Sequence, residues 1–422
     1  MCNKYLGSAS RLVTLLCVIL FLCSCHRVGA AKVAVETKEI VYNYSGLNEI
    51  DTLINNAITN NAFSGAVVSV VHGDTVIYEK AYGYKQVKPK KKRMNVETMF
   101  DIASMSKCVS TLTAIMQLVE NDKIQLDDPV KKYLPDFAPW FSTSGKIDIT
   151  IRQLLMHTSG LSAGLSMSTV ITLEKSWGGS NTIKFVDYIS KEAKRNFRPG
   201  SSVLYSCLNY IVLQGIVEKV TGQRLCDYAQ KNIFDVLDMK HTMYFTSEND
   251  VSGYDIASTE VQANGEALNG RVHDPLARIL NGGNSGNAGV FTNVQDLARF
   301  SLAIMNNGQD KSSGRRILKE TTVYEITMPS ALNQTKSRVL GWEYNSSYVG
   351  KLNTHNCICH TGYTGTSIVI DMDTKTAIIL LTNRVHPKDK RENMKLLAQV
   401  RKKLSNIVAD KLKLLKNTDF TH

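Results

Sequence analysis

Phe100-Asp101-Ile102-Ala103-Ser104-Met105-Ser106-Lys107 is the stretch on which the reading of this 422-residue chain turns. Before it, Gly65 to Val71 and Thr75 to Tyr82 are β-rich runs separated by His72-Gly73-Asp74, a hairpin signal. From Ser104 to Glu120 the apolar period becomes helical, ending near Asn121-Asp122. Ser104 is the only serine in the chain with a lysine three residues on. On a helix those two positions share a face, and the helix N-terminus adds partial positive charge and free N–H groups. A neutral Lys107 amine can then take the serine proton. Taken alone, the pattern fits a capping serine beside a solvated lysine just as well.

Working outward, Leu47, Ile50, Ile54 and Ala57 recur at helical spacing before Phe63. Beyond Glu120 the chain is mostly helices and loops. Asp148 to Met156 reads as a short extended entry and a helix, Asn209 to Val220 as an apolar helix stopped by Thr221-Gly222, and Asp296 to Met305 as another, stopped by Asn306-Asn307-Gly308. β character returns at Val339 to Tyr344, Asn356 to Thr361, Thr366 to Asp371 and Thr376 to Thr382. A basic helix closes the chain, with Leu397, Val400, Leu404 and Val408 as its apolar stripe. Strands at both ends with helices between predict an α+β fold: one antiparallel sheet built from both chain ends, flanked by terminal helices, with a helical insertion over about 108–335.

Lys4 and Arg11 precede an apolar stretch, Leu12 to Leu22, that is too short to span a bilayer and ends in Leu22-Cys23-Ser24-Cys25. This resembles a bacterial lipobox. It implies a signal at 1–24, lipidation of Cys25, a linker at 25–44, one domain at 45–422 and a membrane-anchored protein of the cell envelope. Cleavage near Val28-Gly29-Ala30 is the alternative. The formal net charge of +12 becomes +10 once Lys4 and Arg11 are removed. The basic residues are dispersed apart from Lys88-Pro89-Lys90-Lys91-Lys92-Arg93, and no zinc-finger, RNP or basic-zipper pattern occurs, so nucleic acid is not an expected partner. Of nine cysteines, Cys25, Cys108, Cys207, Cys226, Cys357 and Cys359 would remain after cleavage. Cys357 and Cys359 alternate on one strand and are poorly placed to bond each other. No metal-binding spacing is present, so neither a metal nor a cofactor is expected.

Two distant segments settle the meaning of Ser104 and Lys107. Tyr205-Ser206-Cys207 follows Arg198-Pro199-Gly200 and opens a helix, and His360-Thr361-Gly362-Tyr363-Thr364-Gly365 ends a late strand. Three such motifs in this order resemble the serine β-lactamase and penicillin-binding protein superfamily. The second motif points to its class C β-lactamase and D-aminopeptidase/esterase branch. Ile151-Arg152-Gln153-Leu154-Leu155-Met156-His157-Thr158-Ser159-Gly160-Leu161, Gly286-Asn287-Ala288-Gly289-Val290-Phe291 and Leu381-Thr382-Asn383-Arg384 look like the same branch, so the resemblance covers roughly 63–387.

The resemblance implies a β-lactamase-like fold and an exported serine hydrolase that forms an acyl-enzyme on Ser104. Lys107 and Tyr205 would exchange the proton, each with its pKa pulled down by the other's field. The backbone N–H groups of Ser104 and Tyr363 would hold the oxyanion. His360, Thr361, Gly362, Cys207 and Asn287 would line the substrate groove. Substrates would be small esters, amides or D-amino-acid peptides, peptidoglycan-derived ones included; a genuine β-lactamase or DD-carboxypeptidase is the alternative, and a non-catalytic envelope binding protein a more distant one. Two departures count against strong β-lactamase activity. His360 stands where the family has lysine, and a neutral imidazole holds a carboxylate less firmly than an ammonium. Cys207 stands where the second motif usually has asparagine, and a thiol is a poor donor. Gly160-Leu161-Ser162-Ala163-Gly164 matches a nucleophile elbow but lacks the strand and helix that an elbow needs. His157 reads as structural, His273-Asp274 as a local pair, and Trp342 as core.

Overall fold

A computed structural model describes residues 47–418 other than Ser144, Asn333, Gln334 and Lys336, with side chains as far as Leu412. The signal, the linker and Cys25 lie outside the described residues. The strands are β1 (Gly65–His72), β2 (Thr75–Gln86), β3 (Lys92–Arg93) and β4 (Phe100–Asp101) near the start; β5 (Trp140–Ser142), β6 (Gly145–Ile147), β7 (Met243–Tyr244) and β8 (Val290–Thr292) in the middle; and β9 (Arg338–Val339), β10 (Trp342–Tyr344), β11 (Cys357–Thr361), β12 (Ser367–Asp371) and β13 (Thr376–Thr382) near the end. The α-helices are α1 (Asn48–Thr59), α2 (Thr113–Glu120), α3 (Ile151–Leu155), α4 (Met167–Trp177), α5 (Thr182–Glu192), α6 (Cys207–Thr221), α7 (Leu225–Ala229), α8 (Val294–Met305), α9 (Glu320–Thr327) and α10 (Asn393–Thr418).

Eight strands form one antiparallel sheet in the order β3-β2-β1-β13-β12-β11-β10-β9. Both chain ends therefore meet at its centre, with Ala66 opposite Thr382 and His72 opposite Thr376. The fold is α+β and β-lactamase-like. β1 is an almost unbroken apolar run because both of its faces are covered. Ala66, Val68 and Val70 pack with Ile50 and Ile54 of α1 and with Leu397, Val400, Leu404 and Val408 of α10, while Val67 and Val71 join the larger core on the helical side. Cys357 and Cys359 share the α1–α10 side, as their alternation requires.

Two expected elements differ. Val339 to Tyr344 is a hairpin, not one strand, because Leu340 and Gly341 turn the chain with φ of 33° and 93°. Ser104 to Glu120 is not one α-helix. A single 3-10 turn (Ala103–Met105) leads into a wide π-type turn (Lys107–Leu112), and only then into α2. The Thr113 hydroxyl donates to the Cys108 carbonyl (3.0 Å), five residues back within the wide turn. Among the described residues, no helix is long and apolar enough to cross a membrane.

Candidate active site

β4 delivers the chain to Ser104 through Ala103, whose φ of 46° is one that a residue with a Cβ adopts at a cost of about 1–2 kcal/mol. Asp101 holds this turn. Its Oδ1 accepts from the Ala103 N–H (2.8 Å) and its Oδ2 from the His273 N–H (2.7 Å). The loop after β11 grips the same segment, since Thr364 Oγ1 donates to the Asp101 carbonyl (2.7 Å) and Thr366 Oγ1 to the Ile102 carbonyl (3.2 Å). Gly362 lies so close that a Cβ would collide with the Ile102 carbonyl and the Thr366 hydroxyl.

Lys107 is fully buried. Its Nζ donates to Ser104 Oγ (3.0 Å) and to the Asn287 carbonyl (2.8 Å), and lies 3.7 Å from Cys207 Sγ. Tyr205 arrives from the segment before α6, whose first turn is capped by Ser206. Its ring centroid is 5.0 Å from Lys107 Nζ, and its hydroxyl faces both Lys107 and Ser104. The structure thus brings Ser104, Lys107, Tyr205 and Cys207 together. His157 packs behind Tyr205, with ring centroids 4.5 Å apart, and its Nδ1 accepts from the Ser206 N–H (3.0 Å). It acts on the site through Tyr205 and Ser206.

The protonation pattern differs from expectation. Neither Lys107 nor Tyr205 is lowered. Burial pulls Lys107 down, but the acidic groups Cys207 and Tyr205 beside it pull harder the other way, and its pKa is raised. Burial raises Tyr205, with the Lys107 ammonium only partly offsetting this, and burial likewise raises Cys207. Burial thus favours the neutral forms of Tyr205 and Cys207, and Lys107 is held as an ammonium wherever one of those neighbours is ionised.

Of the expected groove residues, His360, Thr361 and Gly362 line a cleft of about 400 Å³ together with Ser104, Tyr205 and Tyr363. Tyr363 is exposed, and its N–H carries no hydrogen bond among the described residues. Asn287 is buried; its carboxamide is held by Ser285 (2.7 Å) and Asp274 (3.1 Å) and reaches Cys207, and its backbone carbonyl accepts from Lys107 (2.8 Å). His360 is also committed. Its Nδ1 must donate to the Thr361 carbonyl (2.9 Å), and its Nε2 must accept from Arg338 Nη1 (3.2 Å), because a carbonyl only accepts and a guanidinium only donates. That fixes a neutral tautomer. Burial, then Arg338 and Lys107, hold its pKa well below the usual histidine range.

His273 Nε2 lies 3.5 Å from Glu260 Oε2 and its ring stacks on Tyr363, while Ser162 uses its backbone to hold Ser206. Trp342 is core. Arg338, Glu343, Tyr348, Arg384 and Arg401 also line the cleft and were not anticipated. An arginine beside the apolar pair Val339-Leu340 was the one available signal. The five cysteines among the described residues are free thiols, and no group of three or more metal-ligating side chains is found among those residues.

The Beta-lactamase family model matches residues 50–402. The N-acetylmuramyl-L-alanine amidase of Bacillus subtilis (strain 168) is 31% identical over 365 residues, covering 81% of each chain. A protein of Escherichia coli (strain K12), provisionally named a D-alanyl-D-alanine carboxypeptidase, is 29% identical over 404 residues, covering 88% of this chain and 91% of that one. Among solved structures, the hydrolase EstCE1, with promiscuous acyltransferase activity, superposes with a TM-score of 0.67 at 22% identity over 86% of this chain and 98% of its own.

Proposed function

The chain belongs to the β-lactamase family and is a serine hydrolase, and from that premise we propose that it cleaves small esters, amides or D-amino-acid peptides through an acyl-enzyme on Ser104. The observation that carries this reading is the 3.0 Å contact between Lys107 Nζ and Ser104 Oγ beneath Tyr205. Ser104 Oγ attacks the carbonyl. Lys107 stays an ammonium, and the Tyr205 phenolate is the group that takes the serine proton and returns it to the leaving group. The N–H groups of Ser104 and Tyr363 hold the oxyanion, an arrangement worth about 3–4 kcal/mol per donor in other enzymes. Water then attacks the acyl-enzyme ester, with the Tyr205 phenolate taking its proton.

The relatives' names favour a peptidoglycan-derived substrate. Replacement of the usual asparagine by Cys207, beside Lys107, favours ester, amide or peptide cleavage over rapid β-lactam turnover. With the signal read at 1–24, we place the mature protein in the cell envelope, anchored through lipid on Cys25.

The test is active-site labelling. A fluorophosphonate should add to wild type at Ser104, located by peptide mass, and should not add to Ser104→Ala. Release of p-nitrophenol from short esters without nitrocefin turnover supports the esterase or amidase side. Slow penicillin labelling supports the carboxypeptidase side. No adduct at Ser104 with any of these probes overturns the proposal. Metabolic labelling with palmitate, lost in Cys25→Ala, tests the anchor.

A further inference from the structure

The positive charge that faces an acidic substrate in this cleft has an unexpected source. His360 is neutral and both of its nitrogens are engaged, so it has no donor to spare for an acidic substrate. Arg338, two strands away on β9, reaches the same cleft. Its guanidinium lies 5.1 Å over the Tyr205 ring centroid. Nη1 donates to the Gly341 carbonyl (3.1 Å) and to His360 Nε2 (3.2 Å), which fixes the plane. Nη2 is only 3.9 Å from Glu343 Oε1, beyond hydrogen-bond length. Glu343 is turned to other partners, Tyr348 (3.0 Å) and Thr361 (3.4 Å).

The wall as a whole carries excess positive charge. Arg384 is neutralised by Asp389 (2.7 Å). Arg338 and Arg401 face a single carboxylate, Glu343. Arg401 donates from Nη2 to the Thr366 carbonyl (2.8 Å), while its Nε is buried with no partner among the described residues. A cleft with two guanidiniums, one acid and an ammonium at its nucleophile end is built for an anion.

We propose that Arg338 is the specificity-determining cation of this site, selecting esters or amides that bear a free carboxylate near the scissile carbonyl, and that His360 is its neutral positioning residue. The inference rests on the acyl-enzyme reading of Ser104. Because an arginine and a neutral imidazole do the work, the preference for acidic substrates does not vary across neutral pH.

The groups that face this pair come from every side. Lys107 and Cys108 come from the wide turn, His157, Tyr205 and Tyr210 from the helical side, Glu343 from β10, Cys359 from β11 and Arg401 from α10. Burial holds His157 uncharged, and raises the thiols of Cys108 and Cys359 and the phenols of Tyr205 and Tyr210 above their ordinary values.

The experiment compares two matched substrates, p-nitrophenyl hydrogen glutarate and its neutral methyl ester. The readout is the ratio of their kcat/KM values. In wild type the acid is preferred by about tenfold or more, and the ratio is flat from about pH 6 to about pH 8.5. Arg338→Gln lowers the ratio about tenfold, mainly by raising KM for the acid, and Arg338→Lys recovers part of it. His360→Gln, which keeps one donor and one acceptor, retains the ratio within about threefold.

A ratio that falls as pH rises through the histidine range would assign the cation to His360 and overturn the proposal. So would an unchanged ratio in Arg338→Gln that still labels with fluorophosphonate and turns over the neutral ester. Should Arg338→Gln fail to fold, Arg338→Lys and the wild-type pH profile decide. Absence of both ester hydrolysis and a Ser104 adduct in wild type would instead overturn the hydrolase reading itself.

Discussion

The two faces of the main sheet are packed by different rules. On the α1–α10 face, side chains follow the ordinary periods of strand and helix, and apolar residues close the layer. The opposite face carries the nucleophile, a buried lysine and two buried histidines. Backbone strain follows the same division. Nine non-glycine residues with positive φ occur among the described residues. Asn61, Asp122, Asp238, Asn307 and Asn345 are of the types that tolerate it, and Lys375 lies in a turn. Histidine tolerates it too, and His157 lies behind Tyr205; Ala103 and Leu340 are not of those types, and each adjoins the site, beside Ser104 and beside Gly341, which holds Arg338. The α1–α10 face is built mainly for cohesion, though Tyr348, Leu397 and Arg401 at its edge reach the cleft, and the other gives up regularity to aim groups there.

Substitutions should separate the two faces. The largest effect is expected from Lys107→Met, which should reduce kcat/KM about 10³-fold or more while leaving the melting temperature equal or higher, because an uncompensated charge leaves the interior. A large loss of stability would mean that Lys107 holds the face together. The next is pH. Catalysis requires the deprotonated phenol, and the Tyr205 pKa is raised. Activity should therefore rise with pH, about tenfold per unit, and keep rising above neutrality; a plateau reached below about pH 7 would mean that the proton acceptor is another group.

Gly362→Ala should push the Ile102 carbonyl and displace Ser104, lowering kcat about 10²-fold with little change in KM. On the other face, Leu404→Ala should cost about 2–5 kcal/mol in denaturant unfolding yet leave the fluorophosphonate rate per folded molecule intact. The smallest effect is at the seam. Ala103→Gly removes the Cβ conflict at φ 46° and should stabilise by less than about 1 kcal/mol, offset by a looser turn and a kcat reduced within about threefold.

The cohesive face was readable because its signals are local. The spacing of Ile50 and Ile54, the stripe at Leu397, Val400, Leu404 and Val408, and the strand periods of β1 and β13 each reflect a neighbour one turn or one pleat away. Ser104 and Lys107 were readable for the same reason, and Tyr205 through its resemblance to a known motif. His360 lines the cleft as expected, but its partner Arg338 was not legible, because its presence there follows from a turn at Leu340-Gly341 that no short-range pattern announces. The direction of the Lys107 and Tyr205 pKa shifts was not legible, because burial and a neighbouring thiol are tertiary facts. The contacts of the Asn287 carboxamide with Ser285, Asp274 and Cys207 join residues far apart in the chain or within a tight loop and leave no periodic trace.

The pairing of β1 with β13 has a consequence for biosynthesis. A chain emerging from the ribosome must keep residues 65–72 without their central partner until residues 376–382 have been made. The nucleophile, the phenol and the strand that closes the cleft come from widely separated parts of that same chain. Hydrolytic competence is thus withheld from every incomplete product, and a stop codon before the final strand should yield protease-sensitive protein rather than a weakened enzyme.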